Sequence, residues 1–127
     1  MVAAIGARVP RDTTPWDAIG AAAAATLDLC SRPEVAAIIF REAPNTLGAA
    51  AWREVEMRYG LGGLQALFAR VADAGELEPA DPALVTRLFM AALIEAVEVR
   101  IERKESGTGT GEQIAVDRLI SAFRKAG

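Results

Sequence analysis

The stretch from Asp81 to Arg103 sets the tightest limit on what this chain can fold into. Asp81 followed by Pro82 is a helix start. The carboxylate can accept from the open backbone N–H groups of the first turn, and proline has a fixed φ that suits the first helical position. In the helix that follows, the polar side chains Arg87, Glu95, Glu98 and Glu102 occupy a narrow arc. At about 100° per residue, roughly two-thirds of the circumference is then apolar. One face carries Val85, Phe89, Ala92, Leu93 and Ala96, and an adjacent one carries Met90, Ile94, Val97 and Ile101. A helix on the surface of a small monomer needs one apolar stripe. A helix with this much apolar surface has two things to bury against, so the element predicts a helical bundle built around it.

The rest of the chain reads as further helices joined by short breaks. Val2, Ile5 and Val9 share one helical face that Pro10 stops, and the segment resembles the tail of a longer helix. Thr14-Pro15-Trp16-Asp17 is a cap, an N1 proline and a T-x-x-D capping box. Trp16, Ile19, Ala23, Leu27 and Cys30 then make one stripe, and the small residues Ala21–Ala25 allow a helix or a ligand close approach. Ser31-Arg32-Pro33-Glu34 predicts a third start by a capping box, with Val35, Ile38 and Ile39 facing inward and Pro44 ending the helix.

Residues 46–74 are helical in pattern but change phase. Trp52, Val55 and Tyr59 share one face, whereas Leu64, Leu67, Phe68 and Val71 share another, and Gly60-Leu61-Gly62-Gly63 lies between them. Each glycine weakens a helix by about 1 kcal/mol relative to alanine, so a kink or break is expected there. Gly75 is the expected stop. Residues 105–111 read as a flexible loop, and Thr110-Gly111-Glu112-Gln113 offers a T-x-x-Q box. Val116, Leu119, Ile120 and Phe123 stripe the last helix, where Arg124 and Lys125 suit the negative end of the dipole. The fold class is therefore all-α, one domain over residues 1–127 with about six helices.

Composition removes most chemistry. The chain has no histidine and one cysteine, so Ser–His and Cys–His nucleophile pairs, histidine metal sites and an internal disulfide are all excluded. Glu95, Glu98 and Glu102 lie on one helix face, where a solvated acidic face outweighs a metal site. The glycines at 60–63 are followed by no Lys-Ser/Thr and preceded by no strand, so they are not a phosphate loop. No enzyme, cofactor or metal is expected. A net charge of −3 with no basic run argues against nucleic acid as a direct partner of these residues. No segment is long and apolar enough for a membrane span or a signal peptide, and the reading is a cytoplasmic protein.

Two features remain. Trp16, Trp52 and Tyr59 each join a large apolar body to one donor, which suits either core packing or the wall of a ligand pocket. With Ile19, Ala23, Leu27, Phe89 and Leu93 they make the candidate ligand-binding set. The second feature is the wide apolar surface of the 81–103 helix beside the amphipathic last helix. A central helix in a monomer is one reading. A two-fold interface through Met90, Ile94, Val97, Ile101, Val116, Leu119, Ile120 and Phe123 is the other. Which face of the long helix serves the pocket and which the interface stays open.

The middle of the chain resembles a known family. Glu42-Ala43-Pro44-Asn45-Thr46-Leu47-Gly48, Trp52-Arg53-Glu54-Val55-Glu56, Arg58-Tyr59-Gly60-Leu61 and Ala74-Gly75-Glu76-Leu77, with Asp81-Pro82, Leu88 and Ala91-Ala92-Leu93, resemble the C-terminal domain of TetR-type transcriptional regulators. Ala91-Ala92 and Ile94 depart from relatives that often have glycine and asparagine there. The resemblance implies homodimers joined through the final two helices, and a small, largely apolar effector bound in this domain. It also implies a helix-turn-helix DNA-reading domain ahead of this region. These residues hold none, so the chain is read as the regulatory domain alone, with no DNA contact of its own. A helical homodimerisation module without a ligand is the alternative.

Overall fold

A computed structural model describes residues 5, 7–38, 48, 50–51 and 62–126. Five helices are defined among them: α1 Pro15–Cys30, α2 Pro33–Ala37, α3 Gly62–Asp73, α4 Pro82–Arg103 and α5 Gly111–Phe123. The described residues form an all-α bundle. Its one sheet-like feature is an isolated antiparallel bridge between Leu77 and Arg124.

The two proline-led starts form as the residues dictate. The Thr14 hydroxyl accepts from the Asp17 N–H at 3.2 Å, and the Asp81 carboxylate accepts from the Leu84 N–H at 3.1 Å. Each satisfies a first-turn donor that the helix itself leaves open. Gly75, at φ +75°, stops α3. Its N–H reaches the Ala72 carbonyl and the Glu76 N–H reaches the Val71 carbonyl, both at 2.9 Å, which is the Schellman closure that a left-handed residue permits.

Two expected capping boxes do not form. The Ser31 hydroxyl turns back to donate to the Asp28 carbonyl at 3.1 Å, because Ser31 closes the end of α1. Arg32 then stands at the head of α2 with no side-chain cap. Val35 is only half-buried and Ile38 is 53% exposed, so α2 does not present the inward face expected of it. At α5 the Thr110 hydroxyl accepts from Arg100 at 3.0 Å rather than capping the helix. The Gln113 amide donates to Asp117 one turn on, at 3.0 Å. The N-terminal segment is helical at Ile5 and Ala7 and turns at Arg8, whose guanidinium binds Asp28 of α1 at 2.5 Å.

The core lies where α4 meets α1, α3 and α5, with α1 also touching α3 and α5. Val85, Phe89, Leu93 and Ala96 of α4 pack with Ile19, Ala23 and Leu27 of α1 and with Leu64, Phe68 and Val71 of α3. Phe68 sits at the centre, edge-on to Phe89 at 5.7 Å and to Phe123 at 6.5 Å. On one side of the phase change expected near residues 60–63, α3 begins at Gly62 and buries Leu64, Phe68 and Val71. The other side, residues 52–61, lies outside the described residues.

Phe89→Ala is expected to cost about 3–5 kcal/mol, the transfer loss plus an unfilled cavity. Asp81→Ala should cost about 1 kcal/mol through the lost cap. Urea denaturation midpoints at constant m-value check both.

Candidate functional site

The interior gathers most of the expected ligand contacts. Trp16, Ile19, Ala23 and Leu27 come from α1, and Phe89 and Leu93 from α4; all six belong to one buried cluster. The small residue Ala23 and the 3–4 spacing of this stripe let α1 lie close on α4. Ile19, Ala23, Leu27 and Leu93 have no exposed surface, and Phe89 has almost none. These side chains pack against one another as core. Trp52 and Tyr59, the other two expected contacts, lie outside the described residues.

Trp16 differs from the rest of this set. Its ring is buried under the Arg124 guanidinium, 5.5 Å from the ring centroid, yet its indole N–H has no hydrogen-bond partner among the described residues. On α3 the Gln65 side-chain oxygen is likewise buried without a partner among the described residues. Unpaired buried polar atoms are uncommon because each forfeits its bond to water. Cys30 closes the α1 stripe, and burial pushes its thiol up to about 11, so it stays protonated and unreactive.

The expected interface residues divide. Val97, Val116 and Ile120 are buried in the chain's own core. The reason is geometric: α5 lies along α4, and the arc of α4 facing its neighbours is wide enough to take in Val97. Met90 and Phe123 also pack partly on this core. Ile94 is half-buried, while Ile101 and Leu119 remain 37% exposed. Leu84, Leu88 and Ile114 are exposed as well, at 45%, 55% and 49%, and sequence reasoning had not singled them out. An open depression on the outer side of α5 is lined by Ile114, Asp117, Arg118 and Ser121.

Sequence reasoning also missed the polar lock between α4 and α5. Arg100 and Glu112 form an ion pair at 2.9 Å with side chains only 3% and 2% exposed. The same guanidinium donates to the Gly107 carbonyl at 2.8 Å and the Thr110 hydroxyl at 3.0 Å, gathering the loop around itself. The pattern did contain a sign of it: Phe89, Leu93, Ala96 and Arg100 continue one buried stripe, and an arginine on such a stripe needs a buried acceptor.

Burial alone would raise the Glu112 carboxyl. Bonds from Arg100, from its own backbone N–H and from the Thr110 hydroxyl outweigh that and hold it down to about 2. Glu105 is raised, first by its contact with the Glu112 carboxylate and then by burial.

Glu112 therefore stabilises the fold above its ordinary value of 4.5 and loses that contribution as pH falls towards about 2. Glu105 works in the opposite sense, stabilising below its ordinary 4.5 and losing its contribution as pH rises through its elevated folded value. Glu112→Gln leaves Arg100 buried without its counter-charge, which should cost about 3 kcal/mol at neutral pH. The gap between variant and parent should narrow as the pH falls below the ordinary Glu112 value of 4.5, read from urea midpoints across that range.

Among the described residues, no helix is long and apolar enough to cross a membrane. A family model described as "Tetracyclin repressor-like, C-terminal domain" matches residues 16–122. No curated protein matches the chain.

Proposed function

The chain belongs to the tetracycline-repressor-like C-terminal domain family, and from that premise we propose that it is the effector-binding and dimerisation domain of a TetR-type transcriptional regulator. The observation that carries the reading is the division of apolar surface. A closed core is shared by α1, α3, α4 and α5, while Leu84, Leu88, Ile101, Ile114 and Leu119 stay uncovered on the outside of the last two helices. A single chain gains nothing by exposing leucines and isoleucines on adjacent helices, whereas a two-fold partner buries them.

The effector in this reading is a small, largely apolar molecule. It is received by Trp16, Ile19, Ala23, Leu27, Phe89 and Leu93, with Trp52 and Tyr59 as further contacts. The unpartnered Trp16 indole N–H supports it, since an acceptor atom on the molecule would complete that bond. The side chains now filling this space must repack to admit a guest. Binding then selects one packing of the helices over another, which is population shift. A separate DNA-reading domain would take up that difference. With a net charge of −3, these residues make no nucleic-acid contact of their own, and the protein acts in the cytoplasm without a cofactor or a catalytic role.

The alternative is a homodimerisation module with no ligand. The dense packing of the six described candidate contacts favours it.

Light scattering is expected to give twice the chain mass of 13.4 kDa, and a gel shift with DNA should stay at background. A broad library of small apolar molecules should contain members that raise Tm in proportion to the logarithm of their concentration. A library with no such member, with the dimer intact, overturns sensing and leaves the ligand-free module.

A further inference from the structure

The outer side of α4 carries a repeat that its core-facing side does not use. Leu84, Arg87, Ala91, Ile94, Glu98 and Ile101 recur at alternating intervals of three and four residues. That spacing keeps one seam of a helix turned towards a partner helix. None of the six is buried: Leu84, Arg87, Ala91 and Ile101 are exposed, and Ile94 and Glu98 are half-buried.

The seam is also symmetric. Arg87 stands as far from Pro82, where α4 begins, as Glu98 stands from Arg103, where it ends. Leu84 and Ile101 mirror each other about the same midpoint, as do Ala91 and Ile94. A two-fold axis through that midpoint and perpendicular to the helix sets each residue opposite its mate on a second copy, so that i meets j and j meets i.

The charges decide the direction. Neither Arg87 nor Glu98 joins an ion pair among the described residues. Glu98 is instead crowded on its own helix: partial burial, then the like charges of Glu95 and Glu102, raise its carboxyl. A parallel pair in register would set Arg87 on Arg87 and Glu98 on Glu98. An antiparallel pair sets each Arg87 on a Glu98 and relieves that crowding.

We propose that α4 pairs antiparallel with α4 of a second copy of this chain, about the helix midpoint, in one fixed register. Two Arg87–Glu98 ion pairs flank a central layer of Ala91 against Ile94, and Leu84 against Ile101 closes each end. The small Ala91 lets the two backbones approach at the axis. This rests on the dimerisation reading above and adds the register and the residues that select it.

Charge exchange tests it by sedimentation at low salt. The parent chain is expected to be a dimer. Arg87→Glu and Glu98→Arg should each weaken self-association by at least about tenfold, because the two-fold axis repeats each like-charge contact. The chain carrying both substitutions should regain the dimer. Mixing the two single variants should also produce a dimer, since one chain then offers glutamate and the other arginine at both positions.

Single variants that dimerise as well as the parent, or a mixture that stays monomeric, overturn the register while leaving dimerisation in place. A monomeric parent overturns both. A second measurement does not depend on the charge variants folding: an Ala91→Cys chain mixed with an Ile94→Cys chain should form a disulfide-linked heterodimer under mild oxidation. A mixture that yields none overturns the central layer.

Discussion

The stripe Val85, Phe89, Leu93 and Ala96 on α4 is the surface on which α1, α3 and α5 settle. Its hold is not specific in itself. Apolar contact is non-directional, and the three helices could slide on such a stripe at small cost. The stripe ends on Arg100, and there the non-directional contact becomes directional. One buried guanidinium accepts a single arrangement of Glu112, Gly107 and Thr110 around it. A misplaced α5 would leave that charge without its partner, a penalty larger than most single apolar contacts. The lock thus fixes how α5 lies on α4, and with it the shape of the outer surface that the two helices share.

That arrangement separates two kinds of apolar surface. The inner kind is closed and shared by helices distant in sequence. It contains a tryptophan whose donor is unanswered among the described residues, and aromatic rings that meet edge-on around Phe68. The outer kind is open and lies on consecutive helices. The function proposed above draws on both: an interior for a guest to bias and an outer face to carry the bias to a partner copy. Two described elements are less tightly held than the rest: α3 starts among glycines, and α2 has no buried residue in its helix.

Much of the helical layout was legible because its causes are local. Thr14-Pro15 and Asp81-Pro82 start helices through neighbours a few residues away, and Gly75 ends one by the same kind of short-range bond. The stripe of Trp16, Ile19, Ala23, Leu27 and Cys30 needed only the helical period. Where competition from elsewhere decided the outcome, the pattern misled. Ser31 fits a capping box equally well, but the end of α1 claims its hydroxyl. Thr110 fits one too, but Arg100 claims it. The candidate site divides in the same way. Periodicity put Phe89 and Leu93 on one apolar face of α4 and Val97 on an adjacent one, but the burial of Val97, Val116 and Ile120 follows from α5 folding back along α4, which the sequence does not show.

The sequence by itself determined the helical class, the order of the helices, the two apolar faces of α4 and the excess of apolar surface, since each follows from residue type and a fixed period of rotation. Only the tertiary structure decided how that surface is shared. Val97, Val116 and Ile120 went to the core, and Leu84, Leu88, Ile101, Ile114 and Leu119 were left outside. The physical reason is that burial belongs to pairs of surfaces. A periodic stripe says that a helix has something to bury, but the crossing of α4 with α1, α3 and α5, pinned at Arg100, says against what.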